Sequence, residues 1–526
     1  MLDKRVLVTD PLAEEGLDYL RRHLTVDVRP GLSPQELAEA IVGYDALIAR
    51  SGTQVTAQVI QAADRLAVIG RAGTGVDNID LEAATLRGIV VVNVPDSNAV
   101  SVAEHTIALL LALARHLPQA DAALRARRWS SQGLKGIEVR GKKLGIIGLG
   151  RIGSAVARRA QGLEMEVMAH DPFVSLDYAA RQGVTLVSLD ELLRESDFVS
   201  LHVPLTERTR GLIGAEELAM MKPLAHLINC ARGGIVDEEA LCAALDAGTL
   251  AGAALDVFAE EPPTDSPLLR NPRVILTPHL AASTDEAQRQ AAQEIARQVV
   301  AVLKGQAPRY PVNAPLLSPE ELALLGPYMD LALRLGRFYA QLAQGNLTEV
   351  ELTISGEVAE YDPTILTASA LQGVLEAISD EAVNIVNARL LAQSRGFQVA
   401  ERRTSALENF TSSLTLNIST TQGEWSVMGT VLRGEPHIVR INEFWIDFVA
   451  QGRLLVSEHI EGPGIIGRVG SLLGEAGVNI SFVQVGRRER GGPGVMVLGI
   501  DDPLTPEVLQ AMRELPSIRS ARSLWL

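Results

Sequence analysis

Two cysteines, Cys230 and Cys242, in 526 residues cannot build a disulfide framework, so the expected setting is a reducing cytoplasm. Positive charge is also scarce. The 48 Lys and Arg against 64 Asp and Glu leave a formal charge of −16, which argues against nucleic acid or any extended polyanion as a partner. One local basic pocket around a single phosphate remains compatible with that balance. No apolar run reaches the ~20 residues of a membrane span. The most apolar stretch, 100–117, is broken by Glu104, His105, Arg115 and His116 and reads as a buried or dimer-facing helix. The opening MLDKRVLVTD carries charges where a secretory signal needs an apolar segment. The sequence shows no low-complexity tract, short repeat or metal-ligand cluster. What is present is an ordinary globular balance, 47% hydrophobic and 21% charged, over a length suggesting roughly three or four domains.

Short apolar runs alternate with helical patterns from the start. Strands are predicted over 5–9, 46–49, 66–70 and 89–93, with helices over 13–24 and from Ser33–Pro34 to about 42. A second unit opens with KLGIIGLGRIG at Lys143, and its later strands are expected at 166–170, 198–202, 226–229, 253–256 and 274–276. Alternation of this kind predicts parallel sheets covered by helices. Ser283 and Glu286 suggest a capping box opening a helix to about Leu303, and Pro308, Pro311 and Pro315 mark a linker or return crossing. Residues 318–450 mix helices and strands without a chemical motif. The last segment reads β-α-β-β-α-β, a ferredoxin-like sandwich. The expected class is α/β: two Rossmann-like, doubly wound parallel-sheet domains, an α+β intervening domain, and a ferredoxin-like domain. The boundaries expected are 1–97 with 286–315, then 98–285, 316–450 and 451–526.

Gly148, Gly150 and Gly153 form G-x-G-x-x-G directly after a predicted strand and before a helix. The first glycine permits the tight turn, the second lets backbone approach a pyrophosphate, and the third lets helix and strand pack closely. Asp171 ends the next strand, 23 positions beyond Gly148. A carboxylate there accepts from ribose hydroxyls and repels a 2′-phosphate, favouring NAD as cofactor.

Three further segments follow successive strands: NCARGG at Asn229, DVFAEEPP at Asp256 and TPH at Thr277. Oxidation of a 2-hydroxy acid needs a base for the hydroxyl proton, a cation for the carboxylate and an acceptor for the hydride. His279 suits the base, since imidazole titrates near neutrality. Glu261 beside it would orient the ring and favour its protonated form. Arg232 can clamp carboxylate and carbonyl oxygens through two parallel hydrogen bonds. Cys230, two positions before Arg232, is assigned no redox chemistry.

LGIIGLGRIG, NCARGGIVDEEAL, GAALDVFAEEPP and TPHLAAST resemble the signatures of the D-isomer-specific 2-hydroxyacid dehydrogenases. The resemblance implies catalytic roles for Arg232, Glu261 and His279, and a nicotinamide-side role for Asp256. It also implies cofactor contacts from Thr74, Arg151, Ile152 and Cys230. Ala281 and Ala282 depart from the family's usual glycines there, and His170 from its usual aromatic.

The choice of hydroxy acid rests on the N-terminal unit. Arg50, and the run from Gly70 to Asn78 that contains Arg71 and Gly73, resemble the substrate loops of D-3-phosphoglycerate dehydrogenases. Two cations suit a substrate bearing phosphate and carboxylate; amides of Gly73–Gly75 could hold the carboxylate, and Asn98 resembles a further contact. The ~210 residues beyond 315 match that family's long form, an intervening domain followed by an ACT domain. This implies oxidation of 3-phosphoglycerate, with L-serine as an effector near His459, Glu461 and Asn479, and a homodimer or homotetramer. The rival readings are a hydroxypyruvate or glyoxylate reductase, against which Arg50 and the extension count, and a non-enzymatic NAD-sensing scaffold.

Overall fold

The protein is described by a computed structural model covering residues 3–315, 317–342, 345–379, 382–406 and 409–526. Its first sheet is built from runs such as ALIA and VIGR that are apolar because both faces are covered by helices. The strands β1 (Arg5–Val8), β2 (Thr25–Val28), β3 (Ala46–Ala49), β4 (Val68–Arg71) and β5 (Val90–Val92) are all parallel, in the order β2-β1-β3-β4-β5. Edge strand β2 escapes the sequence reading because its TVDV is largely exposed and carries no continuous apolar run. Ser33 caps the Pro34–Ala40 helix as expected: its N–H donates to Glu36 Oε2 (2.8 Å) while its hydroxyl accepts from the Glu36 N–H (3.4 Å).

The second parallel sheet comprises β6 (Lys143–Ile147), β7 (Glu166–His170), β8 (Thr185–Leu186), β9 (Phe198–Leu201), β10 (His226–Asn229), β11 (Gly252–Leu255) and β12 (Val274–Leu276). Its order, β12-β11-β10-β9-β6-β7-β8, reverses direction beside β6, and ligands bind outside the strand ends at such a point. The chain passes from the first unit to the second before the Ala99–Arg115 helix and returns before the Asp285–Leu303 helix. A bond between Ser101 Oγ and Thr284 Oγ1 (2.7 Å) joins the two crossings. Thr284, not Ser283, caps the returning helix, accepting from the Ala287 N–H at 3.3 Å. Ser283 is spent one residue earlier, its N–H closing a turn onto Leu280 O (2.8 Å), so the expected capping box does not form. After that helix the proline-marked segment returns along β5. Pro311 bridges Val92, and the Asn313 side chain bonds the Val91 N–H and Ile89 O.

The C-terminal 200 or so residues form two sheets over one shared core. Strands β13 (Leu347–Gly356), β14 (Gln398–Thr404), β15 (Ser412–Thr420), β16 (Gly423–Leu432), β17 (Glu435–Ile441) and β18 (Phe444–Val449) make a mixed sheet in the order β14-β13-β15-β16-β17-β18. Strands β19 (Arg453–Ile460), β20 (Ile480–Arg487), β21 (Pro493–Ile500) and β22 (Ile518–Trp525) make the antiparallel order β20-β21-β19-β22. One face of this second sheet carries the Ile465–Glu475 and Pro506–Glu514 helices. The other buries Leu454, Val456, Val495 and Val497 with Phe338 and Phe448 of the intervening segment. Asn384 and Asn387 donate to Gly88 O (2.7 Å) and Leu86 O (3.3 Å), capping a helix of the first unit from outside it. No single helix among the described residues is long and apolar enough to cross a membrane.

Candidate active site

The dinucleotide turn shows what each glycine is for. Gly148 has φ +94°, and a Cβ there would lie 2.6 Å from His202 O. A Cβ on Gly153 would lie 2.1 Å from Gly148 O, so the Arg151–Gly162 helix can approach its strand only with glycine at that position. A methyl group on Gly150 would have no neighbour within 4 Å: the space in front of the helix N-terminus is open, as a pyrophosphate requires. Asp171 orients itself by accepting the Leu149 N–H (2.8 Å) on one oxygen and the Phe173 N–H (2.9 Å) on the other. Residues and cradle fit NAD. Ile152 packs into the nucleotide domain's core, and Arg151 reaches Asp96, with Nε to Oδ1 at 2.7 Å.

Loop 277–281 places the base. His279 has φ +53°, a conformation uncommon for a residue with a side chain, and its N–H donates to Asp256 O (2.9 Å). Buried Asp256 holds the loop, accepting from Thr277 Oγ1 (2.6 Å) and from the N–H groups of Leu280 (2.7 Å) and Ala281 (2.8 Å). Burial alone would raise its pKa, but these donors and His105 (3.5 Å) outweigh it and hold the carboxyl below its ordinary range. Asp256 is thus buried beneath the loop that carries His279. Cys230 is likewise buried; burial pushes its thiol up to about 12, so it stays protonated. His279 Nδ1 meets Glu261 Oε2 at 2.8 Å, with both side chains partly exposed, and Glu261 Oε1 accepts the Phe258 N–H at 3.1 Å.

Opposite the base, in a cleft of about 430 Å³ between the two parallel-sheet units, stand Arg50, Arg71 and Arg232. Arg71 is pushed down to about 10, first by burial and then by the positive charges of Arg232 and Arg50, and its Nε has no hydrogen-bond partner. Three mutually repelling guanidiniums around one space are the electrostatic form of an anion site. Arg232 donates from Nε to Asp77 Oδ2 (3.1 Å), and its Nη2 lies against Gly75, where a Cβ would come within 2.2 Å. Arg50 is set by Asp10, which accepts its N–H at 2.6 Å, and by Asn78, which donates to its carbonyl at 2.7 Å. Thr74 Oγ1 donates to Asn98 Oδ1 at 3.0 Å. The Gly73 N–H turns to Arg71 O (2.8 Å), so of the three amides expected to face a carboxylate, those of Thr74 and Gly75 remain. Asp77 and His105 were not singled out from the sequence. Asp77 lies within the glycine-rich run, but its partner Arg232 is 155 positions away, and His105 stands in an apolar stretch with no motif.

At the C-terminus the predicted trio does not assemble within one chain. His459, fully buried with neither ring nitrogen bonded, and Glu461 line a cavity of about 710 Å³ at the N-terminal end of the Ile465–Glu475 helix. Glu461 accepts the Gly491 N–H and pairs with Arg487, and these contacts hold its carboxyl below the ordinary range. Asn479 lies past the other end of that helix and donates to Asp501 Oδ2 (2.6 Å).

Fold and site together define an NAD-dependent 2-hydroxyacid dehydrogenase. Residues 107–281 match the NAD-binding domain of the D-isomer specific 2-hydroxyacid dehydrogenases, 324–442 the D-3-phosphoglycerate dehydrogenase intervening domain and 456–517 the ACT domain. The chain is 44% identical to a D-3-phosphoglycerate dehydrogenase of Methanocaldococcus jannaschii over 98% of each chain. It is 38% identical to that of Bacillus subtilis over 98% of this chain and 99% of the relative. Among solved structures, a protein from Thermus thermophilus superposes at TM-score 0.55 with 40% identity, covering 59% of this chain and 99% of that one. A D-lactate dehydrogenase of Aquifex aeolicus, complexed with NAD and lactic acid, superposes at 0.51 with 31% identity, over 57% and 96%. The chain belongs to the D-3-phosphoglycerate dehydrogenase family.

Proposed function

We propose that this protein oxidises D-3-phosphoglycerate to 3-phosphohydroxypyruvate with NAD, the first step toward L-serine. The observation that carries the reading is the single cleft holding three arginines opposite the His279–Glu261 pair. The Nδ1 proton donated to Glu261 leaves Nε2 as an acceptor for the substrate hydroxyl proton. Arg232 and the free amides of Thr74 and Gly75 bind the carboxylate and steady the carbonyl that forms; Arg50 and Arg71 bind the phosphate. Bound NAD supplies the acceptor for the hydride leaving the substrate carbon. Arg50→Ala tests the assignment: KM for phosphoglycerate should rise by roughly 10- to 150-fold, as one charge-assisted hydrogen bond is worth, with far less effect on an unphosphorylated hydroxy acid. Equal effects on both would place Arg50 at the shared carboxylate or outside the site.

The cytoplasm is the proposed compartment, in keeping with two unpaired cysteines. A homo-oligomer is supported by the exposed apolar side chains of Val100, Leu117, Leu124 and Trp129 on one stretch of the nucleotide unit. L-Serine is the proposed ACT effector. A two-fold axis across the Ile465–Glu475 helix would set the His459–Glu461 end of one copy beside Asn479 of another, completing the trio that one chain separates.

A further inference from the structure

Asp96 lies where three parts of the molecule meet. It sits on the first crossing between the units, two residues before Asn98, the N-cap of the Ala99–Arg115 helix. One carboxylate oxygen receives Arg151 Nε at 2.7 Å, and the other accepts the Tyr310 hydroxyl. Tyr310 belongs to the returning segment and is fixed to the first unit: its N–H donates to Gln298 Oε1 (2.8 Å) and its carbonyl accepts the Asn93 N–H (3.3 Å). Burial and the Asp96 contact raise the Tyr310 phenol above its ordinary range, so it remains a hydrogen-bond donor. Arg151 is the first residue of the helix whose N-cap, Gly150, faces the open pyrophosphate space. The guanidinium of the residue that opens this helix is therefore drawn toward the other unit by a carboxylate.

We infer that Asp96 is a positioning residue that competes with the cofactor's pyrophosphate for Arg151, so that NAD binding releases a clip across the hinge between the two units. The inference rests on the reading of Arg151 as a cofactor contact. Both anions seek the same cation, and the one in the protein is covalently placed at high local concentration, so it must lower the apparent affinity for the dinucleotide. With Arg151 59% and Asp96 41% exposed, the pair is solvent-screened and its effect modest. Charge on Asp96 thus acts opposite to the usual sense of a site residue: removing it should strengthen cofactor binding.

The test is calorimetric titration of NADH into the full-length protein, wild type and Asp96→Asn, each with Arg151 intact or replaced by alanine. Asp96→Asn should tighten NADH by roughly 1.5- to 5-fold at low salt, the range of an exposed ion pair, with the gain shrinking as ionic strength rises. In the Arg151→Ala background the same substitution should have no effect. Unchanged or weaker NADH binding in Asp96→Asn overturns the inference. So does equal tightening without Arg151. Tyr310→Phe removes the neutral donor and leaves the carboxylate to Arg151 alone, so affinity should fall or hold. Tightening there would show that a looser hinge, and not a freed arginine, is responsible, which also overturns it. Arg151→Ala binding NADH as wild type does would instead refute the cofactor role of Arg151, a result read separately from the Asp96 comparison.

Discussion

Alanine at Gly150 and alanine at Gly153 should fail in different ways, although both alter the same six-residue motif. At Gly150 the new methyl group meets no protein atom within 4 Å, and φ is −76°, which alanine adopts without strain. Lower unfolded-chain entropy (~0.4–1 kcal/mol) opposes the poorer capping of alanine (~1 kcal/mol), so folding stability should hardly move. The methyl instead fills the space in front of the helix N-terminus and pushes the pyrophosphate off the amides. Losing one charge-assisted hydrogen bond, about 1.5–3 kcal/mol, weakens NADH by roughly 10- to 150-fold. At Gly153 the added Cβ would stand 2.1 Å from Gly148 O, a backbone atom that cannot rotate away. Helix and strand must separate, at about 1–3 kcal/mol or more, visible as a lower Tm before any cofactor is added. Calorimetric NADH titration and thermal unfolding of both variants separate the effects. Gly150→Ala binding NADH within about twofold of wild type would refute the cradle, and Gly153→Ala melting like wild type would refute the packing argument.

His279→Ala should lower kcat by about 10²–10⁴-fold while the NADH dissociation constant stays near wild type; a loss under about tenfold would remove it as the base. L-Serine titrated into the full-length protein should bind and lower the turnover rate, and Asn479→Ala should abolish that binding, whereas no heat at millimolar serine would sink the effector proposal. A tenfold preference of serine for one conformational state corresponds to about 1.4 kcal/mol of coupling.

The parallel sheets were legible because strands buried on both faces must be continuously apolar. Residues 46–49, 166–170, 226–229 and 274–276 fall on their observed strands to the residue. β2 and β8 were not, being an exposed edge and a two-residue strand. The mixed sheet of the intervening segment stayed unresolved at the sequence level, since its strands alternate burial and resemble half-exposed helix in short windows. The chemical residues were legible where a motif follows a strand, as with Arg232, Glu261 and His279. Their supports were not: the Asp77–Arg232 and Asp256–His105 contacts exist only once distant segments meet. Asn479 illustrates the converse. Its motif and the helix between it and His459 were legible, but its bond to Asp501 at the far end of that helix was not.

The substrate assignment is tested most directly by kcat/KM of the wild-type protein for D-3-phosphoglycerate against D-glycerate, which differs only by the phosphate. If Arg50 and Arg71 hold that phosphate, two charge-assisted contacts of about 1.5–3 kcal/mol each predict a preference of at least roughly 100-fold for the phosphorylated acid. Equal kcat/KM for the two acids would contradict the account.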